Sequence, residues 1–184
     1  MRKQLSAAMI AIAFTTPTAW AESIVDTVSV AEREWAQIDL FKGTSGDEIS
    51  RVCPAGNCDA GTGDTLAGWD MSGWTWASQS DVETLLTTLT PYTGNNTEFS
   101  STDGTWAADF FDKHGFRPTV TSDAGRGMLG RTSTATDMYR DVTAALSHFN
   151  DPALADVITM KYWTPHHYPY ATTGAFFYRD KAGE

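Results

Sequence analysis

Residues 68–86 read GWDMSGWTWASQSDVETLL, and no other stretch constrains the fold as strongly. Trp74 and Trp76 are two apart, so in an extended segment both rings share one face. Ser78 or Ser80 can cap the next helix, with Asp81 or Glu83 in its first turn, where the helix dipole favours negative charge. Val82, Leu85, Leu86 and Leu89 then recur at helical spacing, and Pro91 ends the run. An aromatic extended segment thus leads directly into an amphipathic helix. The rings are either core or a surface on which sugars stack.

The first residues read as a secretory signal peptide rather than as fold. Arg2 and Lys3 precede the apolar run LSAAMIAIAF, and Ala19-Trp20-Ala21 has the small-x-small pattern of a cleavage site. The run is about half of the ~20 residues that span a bilayer. Cleavage after Ala21 leaves residues 22–184 as one domain, expected to be secreted, periplasmic or at the cell surface, with no membrane insertion. The formal charge of −10 repels phosphate backbones, which makes nucleic acid a poor partner. Cys53 and Cys58 lie in RVCPAGNCDA. An oxidising compartment makes a disulfide their default state, closing a small loop that adds about 2 kcal/mol.

Elsewhere the pattern predicts short elements. Residues 23–40 suit two strands joined tightly around Glu32 and Arg33. TSGDEISRV places Ser45 three residues before Glu48, a capping box that opens a short helix. STDGTWAADFFDKHG is a further helix candidate, with Trp106, Phe110 and Phe111 inward and Gly115 as its stop. Residues 116–134 suit two short strands around a turn at Asp123 to Gly127. Residues 136–150 fit either a helix or a strand, and their neighbours favour strand. ADVITMKYW and TGAFFYRD read as closing strands.

GWTWASQSDVETLL and KYWTPHHYPYATTGAFFYRD, with EWAQIDLFKGTSGDEI before them, resemble exported bacterial domains of the collagen-like-adhesin C-terminal type. Those domains carry a Trp-led helix entry and a closing Tyr-Trp … Gly-Ala-aromatic hairpin. The likeness covers roughly residues 30 to 180, and the Cys53–Cys58 loop is not general to the pattern. The resemblance implies an α+β, C-type lectin-like fold: a twisted antiparallel sheet with two helices and long loops. It further implies a non-enzymatic recognition or adhesion module for a surface glycan, matrix polymer or protein. The loops between Gly56 and Trp74 and between Tyr162 and Thr173 would form its contact face.

Trp69, Trp74, Trp163 and Tyr168 are the candidate binding residues, because exposed rings stack on the apolar faces of sugars. Trp76 and Trp106 are read as core. Asp59, Asp64, Asp70 and Asp103 sit in loops where calcium ligands could converge, but spaced ligand motifs are absent and turn formation is the preferred role. No cofactor or metal is assigned. His166 and His167 are adjacent, so a strand would send them to opposite faces. With His148 and His114 they read as surface residues, not a zinc set. No Gly-x-Ser-x-Gly or other nucleophile motif occurs, and no catalytic residue is assigned. Arg117, Arg126, Arg131 and Arg140 could form a basic patch against the acidic background. The alternatives are an exported, hydrolase-like enzyme whose acids converge only in three dimensions, or a structural envelope component.

Overall fold

Three long strands carry the architecture of the computed structural model, which describes residues 21–60, 65–94, 98–137 and 139–181. The signal-peptide stretch and the loop acid Asp64 lie outside them. In chain order the elements are β1 (Glu22–Ser23), β2 (Thr27–Val30), β3 (Arg33–Ala36), α1 (Gly46–Val52), β4 (Thr65–Leu66), β5 (Trp69–Asp70), β6 (Thr75–Trp76) and α2 (Gln79–Leu89). Then follow β7 (Glu98–Ser101), α3 (Trp106–Asp112), β8 (Val120–Ser122), β9 (Gly125–Asp137), β10 (Arg140–Phe149), β11 (Asp156–Pro165), β12 (Gly174–Ala175) and β13 (Phe177–Asp180). The fold is α+β. Among the described residues it has three α-helices rather than two, because the Ser45–Glu48 capping box does open one.

The main sheet runs β12-β9-β10-β11-β7, with β8 also on β9. A second sheet, β2-β3-β13-β6, is antiparallel, and β1-β5-β4 form a small third one. The expected all-antiparallel arrangement is corrected at two places: β12 lies parallel to β9, and β1 parallel to β5. Within residues 136–150 the strand reading holds over Arg140–Phe149, as their neighbours suggested. β9 is far longer than the short strand expected there. Its glycines hide it from propensity, yet they permit close packing: a Cβ on Gly130 would lie 2.5 Å from the Phe176 ring.

Helix limits follow local chemistry. The Ser78 hydroxyl accepts from the Asp81 N–H, and the Asp81 carboxylate accepts from the Ser78 N–H, completing the cap of α2. Thr90, the residue before Pro91, is already extended, so α2 stops at Leu89. Val82, Leu85 and Leu86 of α2 and Trp106, Phe110 and Phe111 of α3 pack against Ala144, Leu146, Ile158 and Met160 of the main sheet. A second cluster joins Ile49 and Val52 of α1 to Trp74, Trp76, Phe41, Phe177 and the Cys53–Cys58 disulfide. In β11, buried Asp156, Ile158 and Met160 alternate with half-exposed neighbours. Between Thr159 and Tyr162 the register against β10 shifts by a bulge. Beyond it Lys161, Tyr162 and Trp163 are exposed in succession, as expected where a bulge re-aims side chains.

Candidate functional site

The N-terminal end of β10 and the C-terminal end of β11 meet at one edge of the molecule. Around it stand four exposed rings: Tyr139 (64 %), Tyr162 (54 %), Trp163 (53 %) and Tyr168 (53 %). The Tyr168 and Tyr170 ring centroids are 4.7 Å apart, and the Arg140 guanidinium carbon is 5.5 Å from the Trp163 centroid. Rings held in this way expose flat apolar area at little conformational cost.

The loop that presents Tyr168 is anchored from below by a buried polar network. Arg131 projects from β9 and is fully buried, and Asp141 of β10 is 1 % exposed. Arg131 Nη1 donates to Asp141 Oδ2 (2.7 Å), Thr164 Oγ1 (3.0 Å) and the Pro165 carbonyl (3.1 Å). Its Nη2 donates to the Tyr168 carbonyl at 2.5 Å. One guanidinium therefore fixes three residues of the 164–168 segment, using the fork geometry that lysine lacks.

His166 joins this segment to α1. Its N–H donates to the Tyr139 carbonyl (2.8 Å), and its carbonyl accepts from the N–H groups of Gly46 (2.7 Å) and Asp47 (3.4 Å). Its Nδ1 lies 2.5 Å from Asp141 Oδ1. Its Nε2 lies 3.3 Å from Asp47 Oδ1 and 3.4 Å from Ser50 Oγ. Gly46 makes the approach possible, since a Cβ there would fall 2.2 Å from Asp141 Oδ2 and 2.3 Å from His166 Nδ1.

The candidate rings separate into two groups. Trp163 and Tyr168 stand exposed at the same end. Trp69 is half-buried against the second core cluster. Trp74 is 2 % exposed and covered by Arg179, whose guanidinium carbon is 4.9 Å from the ring centroid, so it has no face open to a ligand. Trp76 and Trp106 are buried. Between the two proposed contact loops stands α1, which packs its N-terminus on the 164–168 segment and touches β4 of the other loop.

The basic patch is also corrected. Arg131 is internal, Arg126 pairs with Asp112 (2.5 Å), and Arg117 pairs with Asp39 (2.8 Å) and Asp26. Oppositely charged neighbours in this acidic chain claim these cations before a ligand could. Two loop acids are used structurally: Asp70 forms a turn by accepting from the Ser72 N–H and hydroxyl, and Asp59 accepts from the distant Gly73 N–H. Those hydrogen bonds hold the Asp70 carboxyl below its ordinary value, the Ser72 hydroxyl contributing most. Among the described residues no three His, Cys, Asp or Glu side chains gather as a metal ligand set.

His166 is more than the surface residue its sequence suggested. The Arg131–Asp141–His166 network was missed because its members are far apart in the chain. No local signal marks its members, since β9 around Arg131 is rich in Gly and Thr.

At the opposite end of β10, His148 Nδ1 lies 3.1 and 3.2 Å from the two Asp156 oxygens, beside a polar cleft of about 250 Å³. An apolar groove of about 300 Å³ lies near it over β8, β9 and β10. Among the described residues no helix is long and apolar enough to cross a membrane. No protein-family model, curated protein or solved structure matches the chain. What fold and site define is an α+β domain with an aromatic end held by an internal ion pair.

Proposed function

We propose that this is a secreted recognition module that binds a surface glycan through its aromatic end. The observation that carries the reading is that Tyr139, Tyr162, Trp163 and Tyr168, all more than half exposed, lie at the same end of the β10–β11 pair, beside a loop fixed by a fully buried arginine. Pre-ordered rings lose little entropy on binding, so their stacking on a pyranose face is not offset by loop ordering. The net charge of −10 favours neutral over sulfated or phosphorylated sugars. A helix-backed sheet with irregular segments at one end supports the C-type lectin-like reading, and the disulfide supports an extracellular setting.

A glycan array probed with the mature protein, with and without calcium, tests this. Binding to at least one neutral glycan is expected in both conditions. Trp163→Ala should weaken it about fivefold, the equivalent of about 1 kcal/mol of ring stacking, with an unchanged melting temperature. An array that stays blank, or full affinity in a folded Trp163→Ala variant, removes the reading.

A further inference from the structure

We propose that Ser50, His166 and Asp141 form a nucleophile, a general base and its orienting carboxylate, and that they hydrolyse small O-acyl esters. The structural case starts on α1. Gly46 and Asp47 lie four and three residues before Ser50, so one side of the helix turns all three towards His166. His166 Nδ1 is held 2.5 Å from Asp141 Oδ1, and Asp141 is itself locked by the buried Arg131. With Nδ1–H donated to that carboxylate, the Nε2 lone pair faces the Ser50 hydroxyl, 3.4 Å away. That is the order of contacts a serine nucleophile needs, and nucleophile–base contacts commonly tighten when substrate arrives. Asp47 Oδ1 lies 3.3 Å from the same nitrogen.

The network also explains an expensive feature of the interior. A buried ion pair is weak evidence for stability, because apolar side chains of similar volume do as well or better. Arg131 keeps its Nε without a partner, fully buried. Holding Asp141 and the His166 segment in one geometry gives that arrangement a use.

The step balances with water as co-reactant. Ser50 Oγ bonds to the ester carbonyl carbon while its proton passes to His166 Nε2. The tetrahedral adduct collapses, the alkoxide leaves with that proton, and the acyl group stays on Ser50. Water then attacks the acyl-serine, His166 takes and returns a proton, and a carboxylic acid departs. Tyr168 and Tyr170 follow His166 on the same loop, so the substrate class we assign is an O-acylated sugar. That assignment rests on the glycan reading above, whereas the relay does not.

The test is treatment of the mature protein with a fluorophosphonate, peptide mapping by mass spectrometry, and hydrolysis of p-nitrophenyl acetate. Phosphonylation of Ser50 with loss of fluoride is expected. Ser50→Ala and His166→Gln should each lower kcat/KM for the ester by about 10²–10⁴-fold, the contribution typical of a positioned base and its partner. Ser50 is half-buried and needs no partner in the core, so Ser50→Ala should retain the wild-type melting temperature. An unlabelled Ser50, or undiminished hydrolysis by Ser50→Ala, overturns the relay. Labelled Ser50 with a blank glycan array removes only the sugar assignment. Glycan binding with unlabelled Ser50 removes only the relay.

Discussion

Arg131 is the residue whose surroundings demand most of its neighbours. Its charge is balanced by Asp141, and its two Nη groups also bridge to Thr164 and to two carbonyls of the ring-bearing segment. Removing the cation alone strands a carboxylate in the interior. Arg131→Met should therefore cost about 3–5 kcal/mol. An Arg131→Met/Asp141→Leu double variant should recover part of that loss, since no unpaired charge remains. Urea unfolding of both variants checks this, and a neutral Arg131→Met would mean that water already reaches the pair. Neither residue is distinctive in the sequence. An Arg in a Thr- and Gly-rich strand looks solvent-facing until the 164–168 segment is seen to pack on it.

Among the elements, α2 was the most legible, because cap, periodicity and stop residue all agree locally. Its Asp81 carboxyl is pushed up by burial, but bonds from the Ser78 hydroxyl and N–H, with Arg33, outweigh this and hold it below the ordinary range. A carboxyl depressed in the folded state stabilises the protein above its unfolded value, and the contribution disappears as pH falls through the depressed one. Asp81→Asn should therefore lower stability by about 1 kcal/mol at pH 7, with the gap to wild type closing in strong acid. Thermal melts from pH 7 to pH 2 read this directly, and parallel curves would sink it. β9 was the least legible element. Its strand character comes from partners on both sides, which outweigh its many glycines. Gly174 belongs to the same lesson, since a Cβ there would lie 2.0 Å from the Ile38 carbonyl oxygen.

At the scale of the whole molecule, two core clusters share the sheets, and the Cys53–Cys58 bond ties the end of α1 into the second one. Both cysteines are buried there, so replacing them removes a loop constraint and leaves packing to be satisfied by smaller side chains. Cys53→Ala/Cys58→Ala should cost about 2 kcal/mol, a fall of about 4–8 °C in melting temperature for a domain of this size. Differential scanning calorimetry checks the figure. The wild type in reductant should move the same way.

What the chain determined by itself was everything that depends on neighbours a few residues away. The two capping boxes, the hairpin turn, the α2 face and the disulfide pairing are local, because side chains three or four positions apart meet whatever the rest of the molecule does. The closing strands and the core role of Trp76 and Trp106 were also readable from pattern. Only the tertiary structure decided which tryptophans are open, since Trp74 and Trp163 look alike in sequence but differ in what packs over them. It alone brought Arg131, Asp141, His166 and Ser50 together. Contacts across such separations depend on register and on one bulge, and neither leaves a periodic trace in the order of residues.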